Sequence, residues 1–483
     1  DTRGMHATYN FDPTTIADLD FDALYTKRRR DALFAFTLPQ SDGSVILGRD
    51  HLGAIPLYYR VQNGQVRAST HLRELVDGTE TPNPEGVSLF IALGTAKLES
   101  PFVEIHTVPH GTVLQVYPHG KIRTLYQYRF TPTRTPRRFS DSCDALDTLL
   151  AHATTDSLRG STHVGLYLSG GIDSGLTGSY LKRAGAAVTG YTTTPWGADS
   201  AEGRLAKENA VSVGITSHNL VAFNTGEYAA YAAHATRSFA NPCGATAALA
   251  IACIGSNTHV GDESHIFFAQ NADTATASVA DQSLLFGAHL VPHLIRRHLH
   301  ASLHSKSLID NYVALRTAGV MSHYAPLSAY TAQYSRLEQV TLAGMLFGHT
   351  PVDGDIVIQP TLNQGQKLSN LFYHVDVIEF LMGMPLQHRV ARTTEGRFGI
   401  GLKKRVLREL GTRTLTPAVL ARKKGLSVPT TSDPAARTFF DTLPTHAGGR
   451  TLKLPHHRFA AYMLRSWAAS LPQPPESLTK DIL

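Results

Sequence analysis

A chain of 483 residues is too long for one ordinary hydrophobic core, so its length favours two domains. Hydrophobic residues make up 42% and charged ones 17%, a globular composition, and no apolar run reaches the ~18 residues that a membrane helix requires. The balance of 45 basic to 39 acidic residues gives +6, a mild positive field that suits ATP as well as RNA and excludes neither.

The chain opens at Asp1 with no basic n-region ahead of an apolar stretch, so a secretory signal is expected to be absent or already removed. Cys143, Cys243 and Cys253 are odd in number and widely spaced, the pattern of reduced thiols in a cytoplasm. In the first ~125 residues, short apolar runs bounded by Gly, Asp or Pro predict strands, as at Gly43–Leu47, Gly64–Ala68 and Gly111–Val116. Phe130–Ser140, with two prolines and three arginines, has the composition of a linker and separates a domain over 1–130 from one over 141–471. Beyond it, Asp144–Leu158 has helical spacing and His163–Leu168 reads as a strand. Gly175–Ala184 reads as a helix, Val188–Thr192 as a strand, Ser200–Val213 as a helix and His265–Phe268 as a strand. This alternation predicts an α/β domain with a largely parallel sheet. Helical patterns dominate from Leu284 onward, and the tail after Pro472 reads as loose.

Between the first of those strands and its helix lies Ser169-Gly170-Gly171-Ile172-Asp173-Ser174. Glycines let backbone approach an anion, successive amides point into such a turn, and the following helix presents its positive end to phosphate oxygens. Ser169 and Ser174 add hydroxyls. Asp173 would repel a bare phosphate, so its presence calls for a cation such as Mg2+ between them. The alternative is a tight capping turn. The segment resembles the S-G-G-x-D-S signature of the N-type ATP pyrophosphatases. That resemblance implies ATP bound by Ser169, Gly170, Gly171, Asp173, Ser174 and Thr192, cleaved between its α- and β-phosphates.

Further segments resemble the asparagine synthetase and β-lactam synthetase family, in the same order along the chain. Gly48-Arg49-Asp50-His51-Leu52-Gly53-Ala54-Ile55-Pro56-Leu57-Tyr58-Tyr59, Ala68-Ser69-Thr70 and Val108-Pro109-His110-Gly111 are similar to its glutaminase-type domain. Phe268–Asp273 falls where the family has a turn ending in a metal-binding Asp. Lys404–Arg408 and Arg422–Pro429 are similar to its C-terminal signature. The resemblance implies an α/β protein with a degenerate Ntn-type β-rich N-terminal domain. A C-terminal adenine-nucleotide α-hydrolase-like domain would follow, with a mostly parallel sheet and a helical C-terminal part. It also implies Asp173 and Asp273 as metal ligands, Lys424 as the catalytic cation that stabilises the charged intermediate, and Arg422 and Lys404 as phosphate contacts. Arg204, Lys207 and Glu208 lie on a helix that matches by position and reads equally well as a solvated amphipathic one.

Two departures shape the functional expectation. A glutamine-hydrolysing member uses an N-terminal cysteine, whereas this sequence starts with Asp1, and Asp31–Phe36, which resembles the G-D-F-A-F segment, comes early. Glutamine-derived ammonia is therefore not expected, and the amine would come from the substrate, a second substrate or a partner protein. Gln270 stands where the family carries Glu or Tyr, and Gln cannot take a proton. It would position the substrate instead, with Tyr373, His374 and Glu379 as candidate bases by placement alone. The run His289, His293, His298, His300 and His304 is irregular and interrupted by Pro292, which argues for a basic surface over a metal site.

The expectation is an amide ligase that adenylates a carboxylate, releases pyrophosphate and then AMP, and makes a β-lactam, a lasso-peptide macrolactam or an intermolecular amide in antibiotic biosynthesis. Its cofactors would be ATP and Mg2+, and its partners small-molecule or peptide carboxylates and amines. No nucleic acid or membrane is expected, and a homodimer or partner protein is allowed. The competing readings are an RNA-modifying ATP pyrophosphatase and a non-catalytic scaffold.

Overall fold

The computed structural model describes residues 20–31, 33–133, 138–194, 199–257, 263–276, 334–335, 338, 341–342, 345–346, 349–392, 400–421, 428–447 and 450–475. The described chain is mixed α/β, with antiparallel sheets first and a parallel sheet after them. Strands β1 (Ala35–Pro39), β2 (Val45–Arg49), β3 (Tyr58–Gln62), β4 (Gln65–Ser69), β5 (His106–Thr107), β6 (Thr112–Val116) and β7 (Ile122–Gln127) build the first half. They form one sheet of order β1-β2-β6-β7 and another of order β4-β3-β5, both antiparallel. The β3-β4 hairpin closes on Asn63-Gly64, both with positive φ, the conformation a two-residue turn needs to match strand twist.

The segment from Arg49 to Tyr59 is folded around its own charges. The Asp50 carboxylate accepts from the amides of Leu52, Ala54 and Ile55 at 2.9 to 3.1 Å. The buried Arg49 guanidinium donates to the carbonyls of Ile55, Lys97, Val108 and Gly53 at 2.5 to 3.1 Å. Four loop carbonyls thus find in one side chain the donors that water supplied before folding. Arg49→Ala is expected to orphan them and to cost about 3 kcal/mol or more, read as a lowered midpoint in chemical denaturation.

The second half holds a five-stranded, all-parallel sheet made of β8 (His163–Tyr167), β9 (Ala187–Thr194), β10 (Ser217–Ala222), β11 (His265–Phe267) and β12 (Lys367–Ser369), in the order β10-β9-β8-β11-β12. The parallel sheet agrees with the alternation in the sequence. Two of its strands, β10 and β12, are not foreseen there: the first is a half-exposed edge and the second has three residues, so neither carries a strong apolar run. The helix expected from Asp144 begins at Phe139, and the one expected from Gly175 begins at Ile172. No described helix is long and apolar enough to cross a membrane, and the three cysteines are free and buried.

The halves are joined by packing and by charge. Helix Pro84–Leu93 packs on helix Pro455–Ala469. Arg30 pairs with Asp376 at 2.5 Å and with Glu379 at 3.1 Å, and the buried Lys97 meets Asp355 at 3.0 Å. Among the described residues one apolar cluster runs from Phe21 to Met463, and a second packs Phe90 and Ile91 against Leu464 and Trp467.

Candidate active site

The chain enters the parallel sheet at β8, builds β9 and β10 on one side of it, and places β11 and β12 on the other. The order in which strands are added therefore switches sides between β8 and β11, the point beyond whose carboxyl ends open α/β sheets form the crevice that binds their ligands. The loop Ser169–Ser174 leaves β8 at this point, and the turn Phe268–Asp273 leaves β11 beside it.

The Ser169–Ser174 loop hides its acceptors and shows its donors. Ser174 Oγ donates toward the carbonyls of Ser169 (3.1 Å) and Gly171 (3.3 Å) and accepts from the Ser169 amide (3.0 Å). The Asn209 side-chain amide donates to the same two carbonyls at 2.7 and 3.0 Å. The amides of Ile172, Asp173 and Ser174 open the helix Ile172–Arg183 and have no acceptor among the described residues. First-turn amides have no partner within a helix, so this end presents donors to an anion. Gly170 differs from the sequence expectation in its reason. A Cβ there would lie 2.5 Å from Leu205 Cβ, so this glycine admits the helix Ala201–Ser212 behind the loop rather than an anion in front of it. A Cβ on Gly171 would meet only Ser169 Oγ, at 3.1 Å.

Asp173 and Asp273 converge on one cation, and that cation is Lys404. Its Nζ lies 2.5 Å from Asp173 Oδ2 and 2.7 Å from Asp273 Oδ1. Lys404 adopts a left-handed backbone (φ 60°) ahead of helix Arg405–Gly411, which carries its side chain across the crevice. Burial pushes the Asp173 carboxyl up from the ordinary range; the Lys404 ammonium opposes this and the Asp273 charge adds to it. For Lys404, burial works against the charged form, and the two carboxylates outweigh it and raise its pKa. The other oxygen of Asp173, Oδ1, is buried with no hydrogen-bond partner, an acceptor that suits a cation. This donor set fits magnesium, a hard ion that takes carboxylate together with phosphate oxygens. Among the described residues no group of three or more His, Cys, Asp or Glu gathers as a metal site.

The turn that carries Asp273 is fixed from below. Asn271, at φ 78°, donates from Nδ2 to the Phe372 carbonyl (2.6 Å) and accepts from Thr350 Oγ1 (2.7 Å). Asn370 Nδ2 donates to the Gln270 carbonyl at 2.9 Å, while Gln270 Oε1 is buried with no hydrogen-bond partner. Thr192 gives its hydroxyl proton to the Leu168 carbonyl (2.5 Å), so His218 Nε2, at 2.7 Å, must be the donor to it. That hydroxyl is spent on holding the end of β8.

The candidate bases lie elsewhere. Glu379 is taken by Tyr128, by the Thr131 amide and by Arg30 at the seam between the halves. His374 is buried between Asp156 (3.4 Å) and Asp376 (3.6 Å), and Tyr373 is a core residue packed on Phe268. Arg204 donates to the Asp199 carbonyl and Glu208 accepts from Thr416, so that helix face serves local contacts. Lys424, Arg422 and the histidine run from His289 to His304 lie outside the described residues. Lys404 was legible only as a weak phosphate contact, and Asn209 was missed; its signal is an Asn between the buried Ala206 and Ala210 on the inner face of a helix.

A parallel sheet with an amide-lined loop and paired carboxylates at its switch point presents donors suited to an anionic ligand. Residues 25–128 match the glutamine amidotransferase domain family and residues 145–258 the asparagine synthase family. These two segments make the chain similar to asparagine synthetase-like proteins, and the asparagine synthase match supports an ATP-dependent, amide-forming ligase in general. A search of curated proteins finds no match.

Proposed function

We propose that this protein adenylates a substrate carboxylate with ATP, releasing pyrophosphate, and joins the acyl-adenylate to an amine with loss of AMP. The observation that carries the proposal is the meeting of Asp173 and Asp273 beside the free amides of the Ser169–Ser174 loop. The loop amides bind the phosphate chain. The substrate carboxylate oxygen attacks the α-phosphorus, and the bond to the pyrophosphate oxygen breaks. The amine nitrogen then attacks the acyl carbon, AMP leaves with the electron pair of the acyl C–O bond, and the nitrogen's surplus proton passes to the departing phosphate or to solvent. Asp173 and Asp273 would hold magnesium, which when bound neutralises phosphate charge. Gln270 offers its unpartnered Oε1 to an N–H of the incoming amine and takes no proton. By the family resemblance, Lys424 stabilises the charged intermediate.

The same reading makes the N-terminal half a degenerate Ntn-type scaffold and the remainder an adenine-nucleotide α-hydrolase-like domain. The Arg49 guanidinium turned inward onto four carbonyls supports the first part, since a fork closed on backbone is not open to a free amino acid. The product class follows: a lactam, a peptide macrolactam or an intermolecular amide of specialised metabolism. The test is exchange of labelled pyrophosphate into ATP across a panel of carboxylic acids. Acid-dependent exchange is expected, reduced on the order of 100-fold by Asp173→Asn. Exchange that needs tRNA instead would favour an RNA-modifying enzyme, and ATP binding without any AMP formation would favour a scaffold.

A further inference from the structure

We propose that Asn209 is a positioning residue of the phosphate loop: from behind, it sets which way the loop's peptide groups face and thereby the grip on the phosphate chain. The inference rests on the loop being the nucleotide site and goes beyond it to a residue that touches no ligand.

Asn209 is wholly buried on helix Ala201–Ser212, and its Nδ2 is the nitrogen shared by the Ser169 and Gly171 carbonyls. The Gly171 carbonyl also accepts from the Gly175 amide at 3.1 Å, whereas the Ser169 carbonyl has, besides Asn209, only the single proton of Ser174 Oγ, at 3.1 Å, which the Gly171 carbonyl contests at 3.3 Å. Without Asn209 the Ser169 carbonyl would be freed to turn toward other donors, the loop's own amides among them. Each amide so captured is lost to phosphate, and each carbonyl turned outward opposes an anion. The neighbouring glycines agree with this arrangement. A Cβ on Gly175 would lie 2.4 Å from Asn209 Oδ1, and one on Gly170 2.5 Å from Leu205 Cβ, so both positions are kept bare for the close approach of this helix. Neither needs a positive φ. Asn209 Oδ1 is itself buried without a hydrogen bond, a liability that a plain packing residue would not carry.

The experiment measures binding of ATP, inorganic pyrophosphate and adenosine to the full chain by calorimetry with Mg2+ present. Asn209→Leu keeps the bulk and removes the donor; it is expected to weaken ATP and pyrophosphate roughly tenfold and to leave adenosine unchanged. Gly175→Ala, which displaces Asn209 without altering it, should show the same pattern and decides the matter if Asn209→Leu does not fold. Unchanged affinities in a folded variant, or parallel loss of all three ligands, would overturn the proposal. A wild-type chain that binds neither ATP nor pyrophosphate would overturn the nucleotide reading itself, and this inference with it.

Discussion

Replacing Lys404 by methionine will make the stability of the folded chain depend on a divalent cation. Nζ sits within hydrogen-bond reach of both carboxylates, so Asp173 Oδ2 and Asp273 Oδ1 are held at most about 5 Å apart, where two unit charges repel by about 3 kcal/mol at an effective dielectric of ~20. The ammonium cancels that repulsion. Removing one partner of a fully buried pair costs about 3–5 kcal/mol; Asp273 is 47% exposed, so water screens part of the charge and about 1–3 kcal/mol is expected here. The loss should appear in chelator and be recovered in millimolar Mg2+ or Mn2+, which take the place of the ammonium. Wild type should respond little to chelator. Because the folded Lys404 pKa is raised, the clamp contributes fully below the free-lysine value and fades only as pH rises through the higher folded one; neutral pH lies inside its working range. Identical denaturation of variant and wild type, with and without the metal, would remove Lys404 from the site.

That clamp also marks where sequence reasoning stops. The Ser169–Ser174 turn is legible as a strand-to-helix turn because everything it needs is local: an apolar strand, two glycines, two serines and an acid within six residues. Asp273 is legible from its place after a strand. Lys404 lies 231 residues from Asp173, inside a basic stretch that reads as solvated surface, and the packing of helix Arg405–Gly411 on helix Ile172–Arg183 brings the two together. Asn209 is obscured for a different reason. A single Asn on an otherwise ordinary amphipathic helix carries no periodic signal, and its meaning comes from two carbonyls on another element. Arg49 shows the reverse case. The segment around it is conspicuous in the sequence as glutaminase-like, yet the guanidinium works as an internal staple. Placement in the chain likewise suggested Tyr373, His374 and Glu379 as bases, and packing then committed them to the core and the seam.

Acid will unfold this protein well above the pH at which ordinary carboxylates titrate, because histidines, His51 and His265 among them, are buried neutral. His51 is wholly buried among Tyr25, Phe34 and Tyr128. Its Nε2 must donate to the Tyr25 carbonyl at 2.9 Å, which leaves Nδ1 as a bare acceptor with no partner. A proton on Nδ1 would bury an uncompensated charge, and burial accordingly pushes the His51 pKa down to about 3. His265, 1% exposed between the hydroxyls of Ser161 and Ser369, is also held at about 3, by burial first and then by the Arg159 and Lys367 charges. Both are bases whose folded pKa lies below the unfolded value of ~6.5, so between those limits the unfolded chain binds more protons and stability is lost as pH falls. Each contributes ~1.4 kcal/mol per pH unit, so the pair costs about 5 kcal/mol between pH ~6.5 and ~4.5, the size of a whole domain's net stability at the low end of the usual range. Circular dichroism against pH should show a steep transition in that window. His51→Gln, which keeps a donor for the Tyr25 carbonyl and cannot be charged, should move the midpoint down and lower the slope by about one proton. If neither His51→Gln nor His265→Gln changes the midpoint or the slope, the carboxylates and not the buried histidines govern acid unfolding.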